Sequence, residues 1–309
     1  MAPVDTSSAA TLDQAPAEAP ARHTGQGARR KVRRKVRRTR SDWLVVVIAV
    51  VGAIVIAAPL LLILVNSFKS PADYASKGPL QLPIHPYFQG IIDFWNRVDF
   101  PRKLWNSIFI SSLVAVFAVA LSVLNAYALG IGRVRARSWI IVLFLLGNML
   151  PQEALLYPLY MMFKRVGLYD NVWAIIIIFT VIQSAFGTYL LSSVYGTFPK
   201  EILEAASIDG AGRWRILWQV VVPISRSTLS VLMIFFFIWT WNEFLFPLTF
   251  LISNDNQTVP VAITALQGQR LMDVTTTSAS ALLGLIPTLI FFLIFQRTLT
   301  RGITAGAVK

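Results

Sequence analysis

The chain has 309 residues, of which 55% are apolar and only 14% charged, with a net charge of +13. A soluble domain carries about 25% charged residues, and here the apolar residues come in runs too long for a soluble core. With no cysteine there is no disulfide, zinc–thiolate or iron–sulfur site, and His23 and His85 lie too far apart to begin a metal site, so neither a metal nor a bound cofactor is expected.

Residues 1–42 are rich in Ala, Pro, Ser and Thr and then in Arg, with almost nothing to bury, and read as a disordered tail. Ten basic residues fall between Arg22 and Arg40, directly before the first apolar run. That placement suits an anchor at a cytoplasmic membrane face. A nucleic-acid surface would interleave aromatic residues with the charge, and none occurs before Trp43.

From residue 43 to 309 the sequence reads as an all-α integral membrane domain. A spanning helix needs about 20 apolar residues, and six stretches qualify or nearly so: Trp43–Phe68, Leu104–Ile131, Trp139–Phe163, Val172–Tyr195, Ser227–Ile252 and Val274–Phe295. The first is too long and starts too late for a signal-peptide core. Placing the N-terminus inside and alternating puts 20 of the 28 Lys and Arg residues on the inner side. Both termini are therefore expected in the cytoplasm. Segments 69–103, 164–171 and 253–273 then face outward, and the last is rich in amides, reading as a polar connector that meets water or a partner.

The third run carries Glu153 and the fifth Glu243. A carboxylate exposed to lipid costs about 2.5–3.5 kcal/mol on insertion scales, so both should face the bundle interior or a wet path. Asn148 and Gln152, four apart, should share a helix face. With Asn242, and with Asn125 and Gln183 as further polar positions, they form a candidate substrate path suited to sugar hydroxyls. Interhelical hydrogen bonding is the plainer role for each.

The most informative segment runs from Pro199 to Pro223. Pro199 suits a first helical turn, Glu201 and Glu204 favour its dipole, and Gly210 is placed to end it. A second short helix over 211–222, stopped by Pro223, completes a helix–turn–helix at the inner face.

Here the chain resembles the permeases of binding-protein-dependent ABC importers. Their "EAA loop" reads Glu-Ala-Ala, three residues, Gly, nine residues, Ile-x-Leu-Pro. This chain has Glu204-Ala205-Ala206, Asp209-Gly210 and Val220-Val221-Val222-Pro223 at matching spacing, with valine as a conservative departure. Further likeness to the sugar-transporting branch that includes the maltose permeases lies in Asn66-Ser67-Phe68-Lys69, Pro158-Leu159-Tyr160, Trp241-Asn242-Glu243-Phe244 and the terminal Gly306-Ala307-Val308-Lys309. Gln152-Glu153 departs from it.

The resemblance implies a coupling helix in which Glu204, Ala205, Ala206, Asp209 and Gly210 dock on a separate ATPase subunit. It implies as partners a second homologous permease, two nucleotide-binding subunits that hydrolyse ATP, and an extracytoplasmic solute-binding protein approached by the loop before the last span. The setting is the plasma membrane of a prokaryote. The chain has no Gly-Lys pair, so the Walker A signature is absent. A secondary transporter or channel would use the intramembrane carboxylates but leaves the EAA spacing unexplained. No HExxH or GxSxG motif supports an enzyme.

Overall fold

The computed structural model describes residues 40–132, 134–269 and 273–307. Residues 1–39, with nearly all of the basic tail, lie outside the described residues, as do Arg133 and Arg270. The chain divides into a unit ending at Gly52 and a unit from Ala53 onward. The packing below is that of the second unit.

The regular elements among the described residues are all helices, with no strand among them. Helix α1 (Arg40–Ser67) is the first apolar run, and its large apolar side chains are mostly exposed. Two short helices follow, α2 (Pro71–Lys77) and α3 (Gln89–Arg97). Ser70 caps α2 by accepting the Asp73 N–H at 3.1 Å, and Gly78, at φ 73, ends it. Helix α4 (Phe100–Gly130) is the axis of the domain. It packs on α7 (Val172–Gly196) and α10 (Val222–Asn242) around Ala118, Val119, Leu191, Tyr195, Leu232 and Phe236. A second cluster joins Ile110 and Val114 of α4 to Ile175 and Phe179 of α7 and to Phe246 and Phe250 of α11 (Leu245–Phe250). Helices α12 (Val259–Gln269) and α13 (Val274–Ala307) close the chain, and α13 contacts α3, α10 and α12.

Among the described residues, five helices are long and apolar enough to cross a membrane. The expected third span is broken into α5 (Arg137–Met149) and α6 (Gln152–Arg165), which meet at 91°, so six crossings result only if this pair counts as one. The cause is Pro151: it lacks an N–H to continue the ladder, and it drives Leu150 to an extended ψ of 134°. The fifth run is also interrupted, because α10 ends at Asn242 and Glu243 is extended at ψ 131°.

Pro223 does the reverse of what the sequence suggests. Helix α9 (Arg213–Ile216) passes through a π-helical turn, Leu217–Val221, directly into α10, with Pro223 in the first turn of α10. A wider turn accommodates a missing N–H and the proline ring without ending the helix. Leu217 and Val221, both buried, hold that turn against the core.

Candidate functional site

Three regions hold the residues that the sequence singles out. The first is α8 (Lys200–Ile208) and the turn after it. Leu203 and Ala206 pack on the core shared by α4, α7 and α10, while Glu204, Ala205 and Asp209 are exposed, as is Ile208 at 86%. The turn is a Schellman motif. Gly210 N–H donates to the Ser207 carbonyl at 3.1 Å, Ala211 N–H donates to the Ala206 carbonyl at 3.0 Å, and Gly210 has φ 76. The motif's spacing thus has a local cause: the helix ends where Ala206 offers its carbonyl, so the left-handed glycine must follow four residues later. Tyr127 Oη, at the end of α4, donates to the Arg213 carbonyl at 3.0 Å and ties α9 to the core.

The second region is a cavity of about 280 Å³ beside the broken span, lined by Asn148, Gln152, Gln183, Trp239, Asn242 and Glu243, with Phe179 and Ile182. Asn148 and Gln152 do not share a helix face, because α5 ends between them. The break itself folds both toward the same cavity. Glu153 stands in the first turn of α6, exposed, and is not part of the lining. Asn242 Nδ2 donates to the Ile238 carbonyl at 2.8 Å, and Glu243 Oε1 accepts the Phe246 N–H at 3.3 Å, so each also secures a helix end. Gln183, 4% exposed, donates from Nε2 to Thr240 Oγ1 at 2.9 Å. Asn125 lies elsewhere, donating to Thr188 Oγ1 at 3.3 Å between α4 and α7. Sequence reasoning missed Trp239; its spacing of three from Asn242 on one helix was the available signal.

The third region is the polar segment before the last span. It is not a structureless connector: a 3-10 turn, Asn254–Asn256, leads into α12. The turn is gripped from two sides. Asp170 accepts the Ser253 N–H at 3.0 Å and the Ser253 hydroxyl, while Asn256 Nδ2 donates to the Asp170 carbonyl at 2.7 Å. From the start of α4, Lys103 Nζ donates to the Asn254 carbonyl. Asn106 Nδ2 donates to the carbonyls of Asp255 at 2.7 Å and Gln257 at 3.0 Å, and Ser107 Oγ accepts the Val259 N–H at 2.9 Å. Asn256, in a segment expected to meet water or a partner, is bonded within the chain.

At the same end Lys69 is 1% exposed and donates to Asn66 Oδ1 at 2.9 Å, the Gly78 carbonyl at 2.9 Å and the Pro79 carbonyl at 3.1 Å. Burial lowers its pKa below the usual lysine value. Burial pushes the Asp273 carboxyl up, but hydrogen bonds from Thr276 and Thr275 outweigh it and hold the pKa below the ordinary aspartate value.

Residues 129–305 match the family described as "Binding-protein-dependent transport system inner membrane component". The chain belongs to that family. It is 32% identical over 253 residues to the inner membrane ABC transporter permease protein YcjP of Escherichia coli K12, covering 81% of this chain and 90% of that one. It is 32% identical over 222 residues to the lactose transport system permease protein LacG of Rhizobium radiobacter, covering 72% and 80%. Its fold matches a chain of a bacterial ABC transporter involved in the import of the acidic polysaccharide alginate, with a TM-score of 0.73 at 22% identity, covering 84% and 98%. This member of the family is a multi-pass protein of a prokaryotic plasma membrane. The matched residues include α8, the Schellman turn and the polar cavity.

Proposed function

We propose that this permease forms one half of the translocation path of a sugar or oligosaccharide importer, with its termini and α8 on the cytoplasmic side. The observation that carries the coupling role is the geometry of α8. The helix is pinned on one face by Leu203 and Ala206, ended by the Gly210 turn, and presents Glu204, Ala205, Asp209 and a nearly fully exposed Ile208 on the other. An isoleucine so exposed beside small and acidic residues suits insertion into a groove of an ATPase subunit. The small side chains at Ala205 and Ala206 allow close approach.

The other half of the path comes from a second homologous permease. Two nucleotide-binding subunits hydrolyse ATP, and a solute-binding protein delivers the sugar to the opposite face, where the clamped segment and α12 present a fixed surface. The lactose relative supports the saccharide class, as does a cavity rich in amides with an indole beside it.

The test is uptake by the reconstituted complex carrying Glu204→Lys or Gly210→Leu. A Cβ at Gly210 would have nothing within 4 Å, but its φ of 76 strains any other L residue, so Gly210→Leu alters the turn itself while Glu204→Lys changes only the exposed charge. Both variants are expected to insert, to co-purify with the second permease, and to lose ATP-driven uptake. Uptake at the unsubstituted rate would remove α8 from the coupling role.

A further inference from the structure

The cavity beside the broken span has a chemical bias beyond its place on a path. Gln183 sits near the middle of α7, and its amide is fixed by Thr240 through Nε2 alone. Its Oε1 is buried with no hydrogen-bond partner, a state that is costly unless a ligand or water supplies a donor. Around it stand the amides of Asn148, Gln152 and Asn242, the Glu243 carboxylate and the 44% exposed indole of Trp239. No Lys, Arg or His is among the residues lining the cavity. Glu243 has no ion-pair partner among the described residues, and the one other carboxylate within its electrostatic reach, Glu153, has the same sign.

We propose that this cavity holds a single uncharged or amine-bearing sugar ring and selects against acidic sugars. The inference rests on the reading of this chain as a saccharide permease subunit. A cavity of about 280 Å³ lies at the small end of ligand sites, which suits one ring of a saccharide passing through. Sugar hydroxyls or an ammonium group supply the donors that Gln183 Oε1 and Glu243 accept. The apolar face of the ring covers Trp239. A uronate would bring a carboxylate to a site where nothing of opposite charge meets it, the arrangement that burial penalises most. A like charge about 6 Å away at an effective dielectric of about 20 weakens binding by about a hundredfold. Hydration of an open path reduces that, so a discrimination of about tenfold or more is expected.

The test uses the full complex in lipid nanodiscs without its binding protein, titrated with lactose, glucosamine and a uronic acid disaccharide at pH 8. Binding is read by saturation-transfer NMR. Saturable binding of lactose or glucosamine, with the uronate at least tenfold weaker, is expected. Gln183→Leu should weaken the neutral probe about tenfold, and Glu243→Gln should narrow the gap between neutral and acidic probes. Trp239→Ala, which leaves both helix caps in place, should weaken all probes together. Equal binding of neutral and acidic probes would overturn the selectivity while leaving the permease reading intact. So would ATP-driven saccharide uptake by a complex that binds none of the three. Failure of both uptake and binding with all saccharides tried would overturn the saccharide class on which the proposal rests.

Discussion

The interface between α4 and α7 is the main packing contact of the domain, and Gly187 is one of the points where the two helices approach most closely. A Cβ at Gly187 would lie 2.8 Å from Ser122 Cβ and 3.0 Å from Phe236 Cζ, and would fall on Ser122 Oγ. Carbon atoms pack best at about 3.5–4.0 Å, so the two helices would have to part by about 1 Å near this point. The Ser122 hydroxyl can rotate away from its bonds to Ala118 and Ser184, but its Cβ is fixed to the helix. Gly187→Ala should therefore cost about 1–3 kcal/mol, the range for overpacking a close-packed core. Gly147→Ala, in α5 with nothing within 4 Å, is the control and should be neutral or slightly stabilising. Ser122→Gly combined with Gly187→Ala restores the missing space. A double-mutant cycle should then show a favourable coupling of about 1 kcal/mol or more between the two sites. Equilibrium unfolding in mixed detergent micelles, followed by circular dichroism, measures the four proteins of the cycle and the Gly147→Ala control. Gly187→Ala with unchanged stability, or Gly147→Ala with an equal loss, would refute a steric origin.

Other consequences follow from the far end of the bundle. Asp170→Ala removes the acceptors for Ser253 and leaves a non-glycine residue at φ 57. It should lower stability by about 2 kcal/mol, and hydrogen exchange at Ser253 and Val259 should accelerate; unchanged protection would mean that the α4 contacts alone hold the turn. Shortening α12 around Gly268 should reduce stimulation of ATP hydrolysis by loaded binding protein while basal hydrolysis and insertion persist, and full stimulation would free this helix from that role. Asp273 caps α13 through the Thr275 N–H at 3.1 Å. Because its pKa is depressed on folding, the cap contributes above the unfolded value of about 3.9 and is lost as pH falls through the lower folded value. Asp273→Ala should cost about 1 kcal/mol at pH 7 and progressively less on acidification below about pH 4; a cost independent of pH would exclude the carboxylate as its source.

How much of this was legible in the sequence depended on how local the cause was. Five long helices followed from run length, and the turn after α8 followed from the position of one glycine, because a Schellman motif closes on atoms within six residues. Prolines show the opposite case. Pro151 and Pro223 both interrupt apolar sequence, yet one marks a 91° break and the other lies within a helix that passes through a π turn. What separates them is tertiary: Leu217 and Val221 are buried against the core, whereas no residue of α5 is buried within this chain. Lysines mislead for the same reason. Lys69 and Lys103 count as exposed loop charges when read along the chain, but they are 1% and 0% exposed, because Lys69 is enclosed by the carbonyls of the turn after α2 and Lys103 by a carbonyl from a turn 151 residues on.

Helical periodicity placed Asn148 and Gln152 on one face of a helix that does not exist, and the residues nevertheless line one cavity. The agreement has a physical origin. A broken span frees backbone groups and turns polar side chains inward, and in a membrane such a break is tolerated only where protein or a wet cavity receives it. Polar residues crowded around a proline in an apolar run therefore point to a cavity even when the helix assumed between them is wrong. Gln183 already stood out as a polar position in an apolar run, but which of Asn125 and Gln183 reaches the cavity, and that Trp239 joins it, follows only from the packing of α7 and α10 on α4.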